Sequence, residues 1–217
     1  MTAKVTVLDY GVGNLRSVCR AIEVSGGEPV LVDSAFAAKD ADRLIVPGVG
    51  AFTSCMSALT SFGFDEVVRE MVTTHQRPVL GICVGMQMLF EHSEEFGTHS
   101  GLGLLAGRVA RIGSRTADGE RRKVPHIGWT KLSAPSGSDP ARADGTILEG
   151  HLDRSEVYFV HSYAAQASEA ADVLAIAEYG GEPITAAVQR ENLTGVQFHP
   201  EKSGVVGLEI VGRFLTI

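Results

Sequence analysis

A chain of 217 residues that is 44% hydrophobic and 21% charged has the length and mixture of a globular protein with a full core, and one domain over residues 1–217 is expected. A net charge of −7, with no basic cluster longer than Arg121-Arg122-Lys123, excludes generic nucleic-acid binding, which wants a basic surface. No apolar stretch approaches membrane-spanning length, the N-terminus enters a strand without a leader, and Cys19, Cys55 and Cys83 lack metal-ligand spacing, so a reducing cytoplasm is expected and neither membrane, metal nor cofactor.

In chain order, Val5–Leu8 reads as a strand, and Asn14 to Val24 as a helix stopped by Gly26-Gly27. Val30–Val32 and Arg43–Val46 are further strands, the latter ending at Pro47-Gly48-Val49-Gly50. Helices are expected from about Phe52 and from Phe64 to Thr74, placing Cys55, like Cys19, among small core residues. The strand Val79–Ile82 delivers Gly81-Ile82-Cys83-Val84-Gly85, followed by a helix-like run, Met86 to Glu91. That is the strand–sharp turn–helix context of a nucleophile elbow, with cysteine as the nucleophile. Glycine on each side lets neighbouring chain pass without a Cβ clash, and a following helix N-terminus favours thiolate over thiol.

From Gly107 the helices give way to strand-like runs: Arg108–Ile112, Val124–Leu132, Glu156–His161, Val173–Glu178, Ala186–Arg190 and Leu193–Phe198. Ser133 to Gly145 reads as a surface loop. Val206, Ile210 and Phe214 give Val205 to Thr216 helical spacing, although Gly207 and Gly212 are poor helix formers. The expected fold is α/β, a largely parallel central sheet flanked by helices with added antiparallel strands in the C-terminal half. In such sheets sites form at the carboxyl ends of strands, where Gly11–Asn14, Gly48–Gly50 and Gly81–Gly85 fall.

The last strand runs into Gln197-Phe198-His199-Pro200-Glu201. Proline favours extended geometry before it, so His199 and Glu201, two apart, are expected to face one side. A cysteine nucleophile needs a base, and a carboxylate can hold that base in the required tautomer. Gly11-Val12-Gly13-Asn14 lacks the third glycine of a dinucleotide fingerprint. Pro47-Gly48-Val49-Gly50 could turn backbone N–H groups towards an oxyanion, or be a plain glycine turn.

Pro78 to Gln87, together with Gln197 to Glu201, resembles the class I (triad) glutamine amidotransferase family. Asp9 to Leu15, Val124 to Trp129 and Val157 to Tyr163 resemble, within it, the glutaminase subunits of imidazole glycerol phosphate synthases. The resemblance covers nearly the whole chain and implies hydrolysis of L-glutamine to glutamate and ammonia. Cys83 would attack the amide, His199 would move the proton and Glu201 would orient His199. Backbone at Val49, Gly50 and Val84 would hold the oxyanion, the Pro47–Gly50 turn re-orienting to do so. Gln87, at i+4 from Cys83, would meet the substrate. Glu95 would meet its ammonium, and His161, Ser162 and Tyr163 its carboxylate, mostly through backbone. Ammonia would pass to a cyclase subunit with a (β/α)8 barrel in a heterodimer, met by Asn14, Tyr158 and Lys202. Valine stands at 84 where leucine is common, and Thr130 where asparagine is common. A glutaminase serving another synthase, or a cysteine peptidase or γ-glutamyl hydrolase of the same fold, remains an alternative.

Overall fold

Alternating apolar strands and helices build the first half in the computed structural model, which describes residues 2–116 and 118–217. Strand β1 (Lys4–Leu8) leads into α1 (Leu15–Val24), whose buried Val18, Ala21 and Ile22 recur at helical spacing. Then follow β2 (Glu28–Val32), α2 (Ala35–Ala38), β3 (Leu44–Val46), α3 (Phe52–Ser61), α4 (Phe64–Thr73) and β4 (Val79–Ile82). Beyond Cys83, α5 (Val84–Gln87) is a single turn. The expected helix over Met86–Glu91 is broken by strand β5 (Phe90–Ser93), because a short apolar run such as Met88-Leu89-Phe90 serves either element and here joins a second sheet.

The second half is strand-rich, as expected. It contains β6 (His99–Ser100), β7 (Leu105–Arg111), β8 (His126–Ser133), β9 (Glu156–His161), β10 (Tyr163–Ala167), β11 (Val173–Tyr179), β12 (Glu182–Arg190) and β13 (Leu193–Val196), then α6 (Gly204–Phe214). The loop after Ser133 carries a 3-10 turn at Pro140–Ala143.

Among the described residues, nine strands form one sheet in the order β2-β1-β3-β4-β13-β12-β11-β8-β9, and four form another, β10-β7-β5-β6. The stretch from β2 to β13 is parallel, and the pairings from β13 outward to β9 are antiparallel. Helices α1 and α6 pack together, as do α3 and α4. One apolar cluster joins the halves, running from Val5 and Leu80 through Phe90 to Phe159 and Phe198.

Two pairings position the site. Strands β4 and β13 are parallel neighbours, with Gly81 opposite Gly195 and Ile82 opposite Val196. All eight of their residues are buried. Strands β8 and β9 set His126 opposite His161 and Trp129 opposite Tyr158. Helix α6 tolerates Gly207 for a packing reason: a Cβ there would lie 1.9 Å from the Pro200 carbonyl oxygen.

Candidate active site

The carboxyl ends of the parallel strands β1, β3, β4 and β13 open onto a cleft of about 600 Å³. Its walls include Asn14, Val49, Gly50, Cys83, Val84, Gln87, Glu95, His161, Ser162, Tyr163, His199 and Lys202. Twelve of the fourteen side chains expected at the site thus line one cleft. Of the other two, Glu201 stands behind His199, and Tyr158 packs edge-on against Trp129 with ring centroids 6.1 Å apart.

Cys83 sits at the tip of the β4–α5 turn with φ 55° and ψ −111°, a conformation that side chains other than hydrogen rarely adopt. The flanking glycines are required by close approach. A Cβ on Gly85 would lie 1.9 Å from the Val46 carbonyl oxygen, and one on Gly81 would lie 2.7 Å from that of Gly85. With α5 only one turn long, the helix-dipole contribution expected at the thiol is correspondingly small.

His199 follows β13, and its Nδ1 lies 2.8 Å from Glu201 Oε1. The two do meet, though not by extended geometry: Pro200–Lys202 forms a 3-10 turn that folds Glu201 back under the ring. Both side chains are almost fully enclosed, at 3% and 2% exposure. Burial pulls the His199 pKa down, but hydrogen bonding to Cys83 and Glu201, with their charges, outweighs it and raises the pKa to about 9. The Glu201–Nδ1 contact leaves Nε2 for the sulfur side.

Ser203, which sequence reasoning missed, fixes this segment. Its hydroxyl donates to the His199 carbonyl at 2.7 Å and accepts from the Tyr158 N–H at 3.0 Å, while His199 N–H donates to the Tyr158 carbonyl at 2.9 Å. The His199-bearing turn is thereby stitched to β9. Its only sequence signal was a serine two residues past Glu201, where a 3-10 turn ends.

The Val84 N–H donates to the Gly48 carbonyl oxygen at 3.3 Å. The turn holding that carbonyl is fixed from two sides: Tyr10 Oη donates to the Pro47 carbonyl, and the Cys55 thiol donates to that of Val49 at 3.3 Å. Burial pushes the Cys55 thiol up to about 11, so it stays protonated and available as a donor. Glu95 Oε2 accepts from the Phe52 N–H at 2.6 Å, at the first residue of α3.

Gln87 is buried rather than solvent-facing, and its Nε2 donates both to the Tyr163 carbonyl and to Gln197 Oε1, each at 2.9 Å. The His161 ring is likewise engaged: Nδ1 lies 2.8 Å from the Tyr163 carbonyl and Nε2 lies 3.1 Å from His126 Nδ1. It is therefore unavailable to a substrate carboxylate. The Ser162 carbonyl accepts from the Ile112 N–H, so both carbonyls of Ser162-Tyr163 are occupied.

A thiol on a strained elbow, an imidazole held by a carboxylate, and a cleft with an acidic wall can carry out acyl transfer from an amide bearing an ammonium group. Residues 6–215 match the family model of the glutamine amidotransferases of class I, and the chain belongs to that family. Within it, the chain falls with the imidazole glycerol phosphate synthase HisH subunits. It is 46% identical over 216 residues to imidazole glycerol phosphate synthase subunit HisH 1 of Legionella pneumophila (strain Lens), covering 99% of this chain and 100% of the relative. Identity is 44% over 211 residues with subunit HisH of Syntrophotalea carbinolica, covering 97% and 98%. Among solved structures, PurLQS from Thermotoga maritima aligns over 100% of this chain and 99% of its own with a TM-score of 0.73 at 18% identity. A structure described as glutamine amidotransferase aligns over 98% and 99% with a TM-score of 0.71 at 21% identity. No helix among the described residues is long and apolar enough to cross a membrane.

Proposed function

We propose that this chain hydrolyses L-glutamine at Cys83 as the glutaminase subunit of a cytoplasmic imidazole glycerol phosphate synthase, one amidotransferase domain feeding ammonia to a cyclase subunit in histidine biosynthesis. The family match and the identities near 45% with HisH subunits support this reading. The observation that carries the chemistry is the Glu201–His199 pair closing on Cys83 in one cleft.

Cys83 sulfur attacks the side-chain carbonyl carbon of glutamine, forming the S–C bond. As the C–N bond breaks, His199 Nε2 delivers its proton to the leaving ammonia. Water, deprotonated by the same nitrogen, then adds to the thioester. The C–S bond breaks, glutamate leaves, and the sulfur is restored. Glu201 keeps the ring oriented and stabilises its charged form. Glu95 receives the substrate ammonium. Gln87, whose amide N–H groups already have two acceptors, presents its carbonyl oxygen to a substrate donor.

The oxyanion needs the Val84 N–H, which the Gly48 carbonyl occupies at 3.3 Å. In the working state the Pro47–Gly50 turn swings that carbonyl away and offers an N–H of Val49 or Gly50 instead. Ammonia leaves towards a partner with a (β/α)8 barrel, in a heterodimer. The docking face is the rim formed by Asn14, Tyr158 and Lys202 together with Trp129 and Ile127, which stand 53% and 54% exposed beside the cleft. In the reconstituted complex, Cys83→Ala is expected to abolish turnover with glutamine and to leave turnover with ammonium salts intact. Equal loss with both nitrogen sources would refute the assignment of Cys83 to glutamine hydrolysis.

A further inference from the structure

Gln197 belongs to the sequence motif that supplies His199 and Glu201, yet the mechanism above gives it no part. It is fully buried between two strands at the heart of the site. Its neighbours fix which way its amide points. The Tyr163 carbonyl can only accept, so the Gln87 atom 2.9 Å from it must be Nε2. That nitrogen can only donate, so the Gln197 atom 2.9 Å from it must be Oε1. Gln197 Nε2 is then forced to the opposite side, where it donates to Cys83 Sγ at 3.7 Å.

The same carbonyl orders a second branch. It accepts from His161 Nδ1, which makes His161 Nε2 an acceptor for His126 Nδ1–H and leaves His126 Nε2 to accept from the Thr130 hydroxyl at 2.8 Å. Burial keeps both rings neutral, so each has one donor and one acceptor nitrogen as this order needs. One backbone oxygen thus dictates the sense of four buried side chains and of the half-buried Thr130, and Gln197 is the one that ends on Cys83.

We propose that Gln197 is a positioning residue for Cys83: its amide N–H, aimed by Gln87 and the Tyr163 carbonyl, donates to the sulfur and favours the thiolate held in line with His199. This rests on Cys83 being the nucleophile, as proposed above. A donor to a sulfur is worth more when the sulfur is charged, so Gln197 biases the proton towards the imidazole. Other ionisable groups set the same balance and stay in place in the test: His199 with Glu201 behind it, Cys55 from α3, His161 from β9, and Glu95 and Lys202 on the cleft wall.

The experiment is the rate of Cys83 alkylation by iodoacetamide as a function of pH, followed by peptide mass spectrometry on the full chain. Glutamine turnover is measured on the same proteins in the reconstituted complex. Gln197→Met keeps the bulk and removes the donor. Gln197→Glu keeps the acceptor for Gln87 and sets a second oxygen against the sulfur. The alkylation profile is expected to move to higher pH for Met and further for Glu. The kcat for glutamine is expected to fall roughly 10- to 100-fold with KM changed less than threefold. Wild-type far-ultraviolet circular dichroism and melting of the variants separate an altered site from a misfolded chain, and turnover with ammonium salts, which the partner carries out, should be retained. A folded Gln197→Glu with the wild-type alkylation profile overturns the proposal. If Cys83 in the wild type is alkylated no faster than Cys19, the failure lies instead with Cys83 as nucleophile.

Discussion

At Cys83 the backbone holds a side chain in a region of φ and ψ that costs on the order of 1–3 kcal/mol for any residue but glycine. The surroundings impose this, because Gly85 is pressed against the Val46 carbonyl and Gly81 against Gly85. The usual ranking of alanine above glycine should therefore invert at this one position. Cys83→Gly is expected to be more stable than Cys83→Ala by about 1 kcal/mol in denaturant melts. Alanine proving the more stable of the two would mean that the elbow stores no strain. The residues proposed to carry the chemistry were legible because each lies in a contiguous string: Gly81 to Gly85 spells out a turn that tolerates no side chain at either glycine, and His199-Pro200-Glu201 spells out an imidazole with its carboxylate. Gln197 was printed in that second string, but its partner, Cys83, lies 114 positions earlier, and only the pairing of β4 with β13 brings them together. Thr130, which in the sequence is only a departure from asparagine, supplies the hydroxyl that caps the His126 ring.

Between elements, the stitch from β9 to the 3-10 turn is the contact that holds His199 in place. Ser203 is 1% exposed and bridges the His199 carbonyl and the Tyr158 N–H. Its removal leaves a backbone donor without its acceptor, so Ser203→Ala is expected to cost about 1–3 kcal/mol of stability. It should also lower glutamine turnover while sparing ammonium-dependent turnover, since His199 alone loses its footing. Normal glutamine turnover in a destabilised Ser203→Ala would show the bridge to be structural only. The parallel half of the sheet was readable because its strands are apolar throughout and punctuated by helices and glycine turns. Of the second sheet only β7 was, in the run Arg108–Ile112. Phe90–Ser93 follows a run that reads equally as helix, His99–Ser100 is too short to carry a pattern, and Tyr163–Ala167 is alanine-rich, a composition poor in strand preference. β5 and β10 exist because β7 offers each an edge, and β6 because β5 does, and those are tertiary facts.

At the scale of the whole molecule, three of the four buried histidines among the described residues set opposite limits on stability. Burial lowers the pKa of His126 and of His161 from 6.5 to about 4. Between those values the unfolded chain binds more protons, so their contribution is intact above pH 6.5 and drains away as pH falls towards 4. His199 runs the other way. Its pKa is raised to about 9 despite burial, so the folded chain binds more protons between 6.5 and 9, and its contribution is present below pH 6.5 and lost as pH rises through 9. Each is worth about 3 kcal/mol at full effect. Thermal stability is expected to peak near pH 6.5, with His199→Gln flattening the alkaline limb alone. In Cys83→Ala, where no thiol proton can pass to the ring, a melting temperature unchanged from pH 6.5 to 9 would exclude a His199 pKa raised by Glu201. The register of β4 against β13 reaches further still. Sulfur and imidazole hang from adjacent rails, locked rung for rung from Val79 opposite Leu193 to Ile82 opposite Val196. Sliding one rail by a single rung would carry the imidazole about 3.3 Å along and turn its whole strand over. The spacing of the reacting atoms is therefore machined by four ladder steps deep in the sheet, well away from anything that glutamine touches.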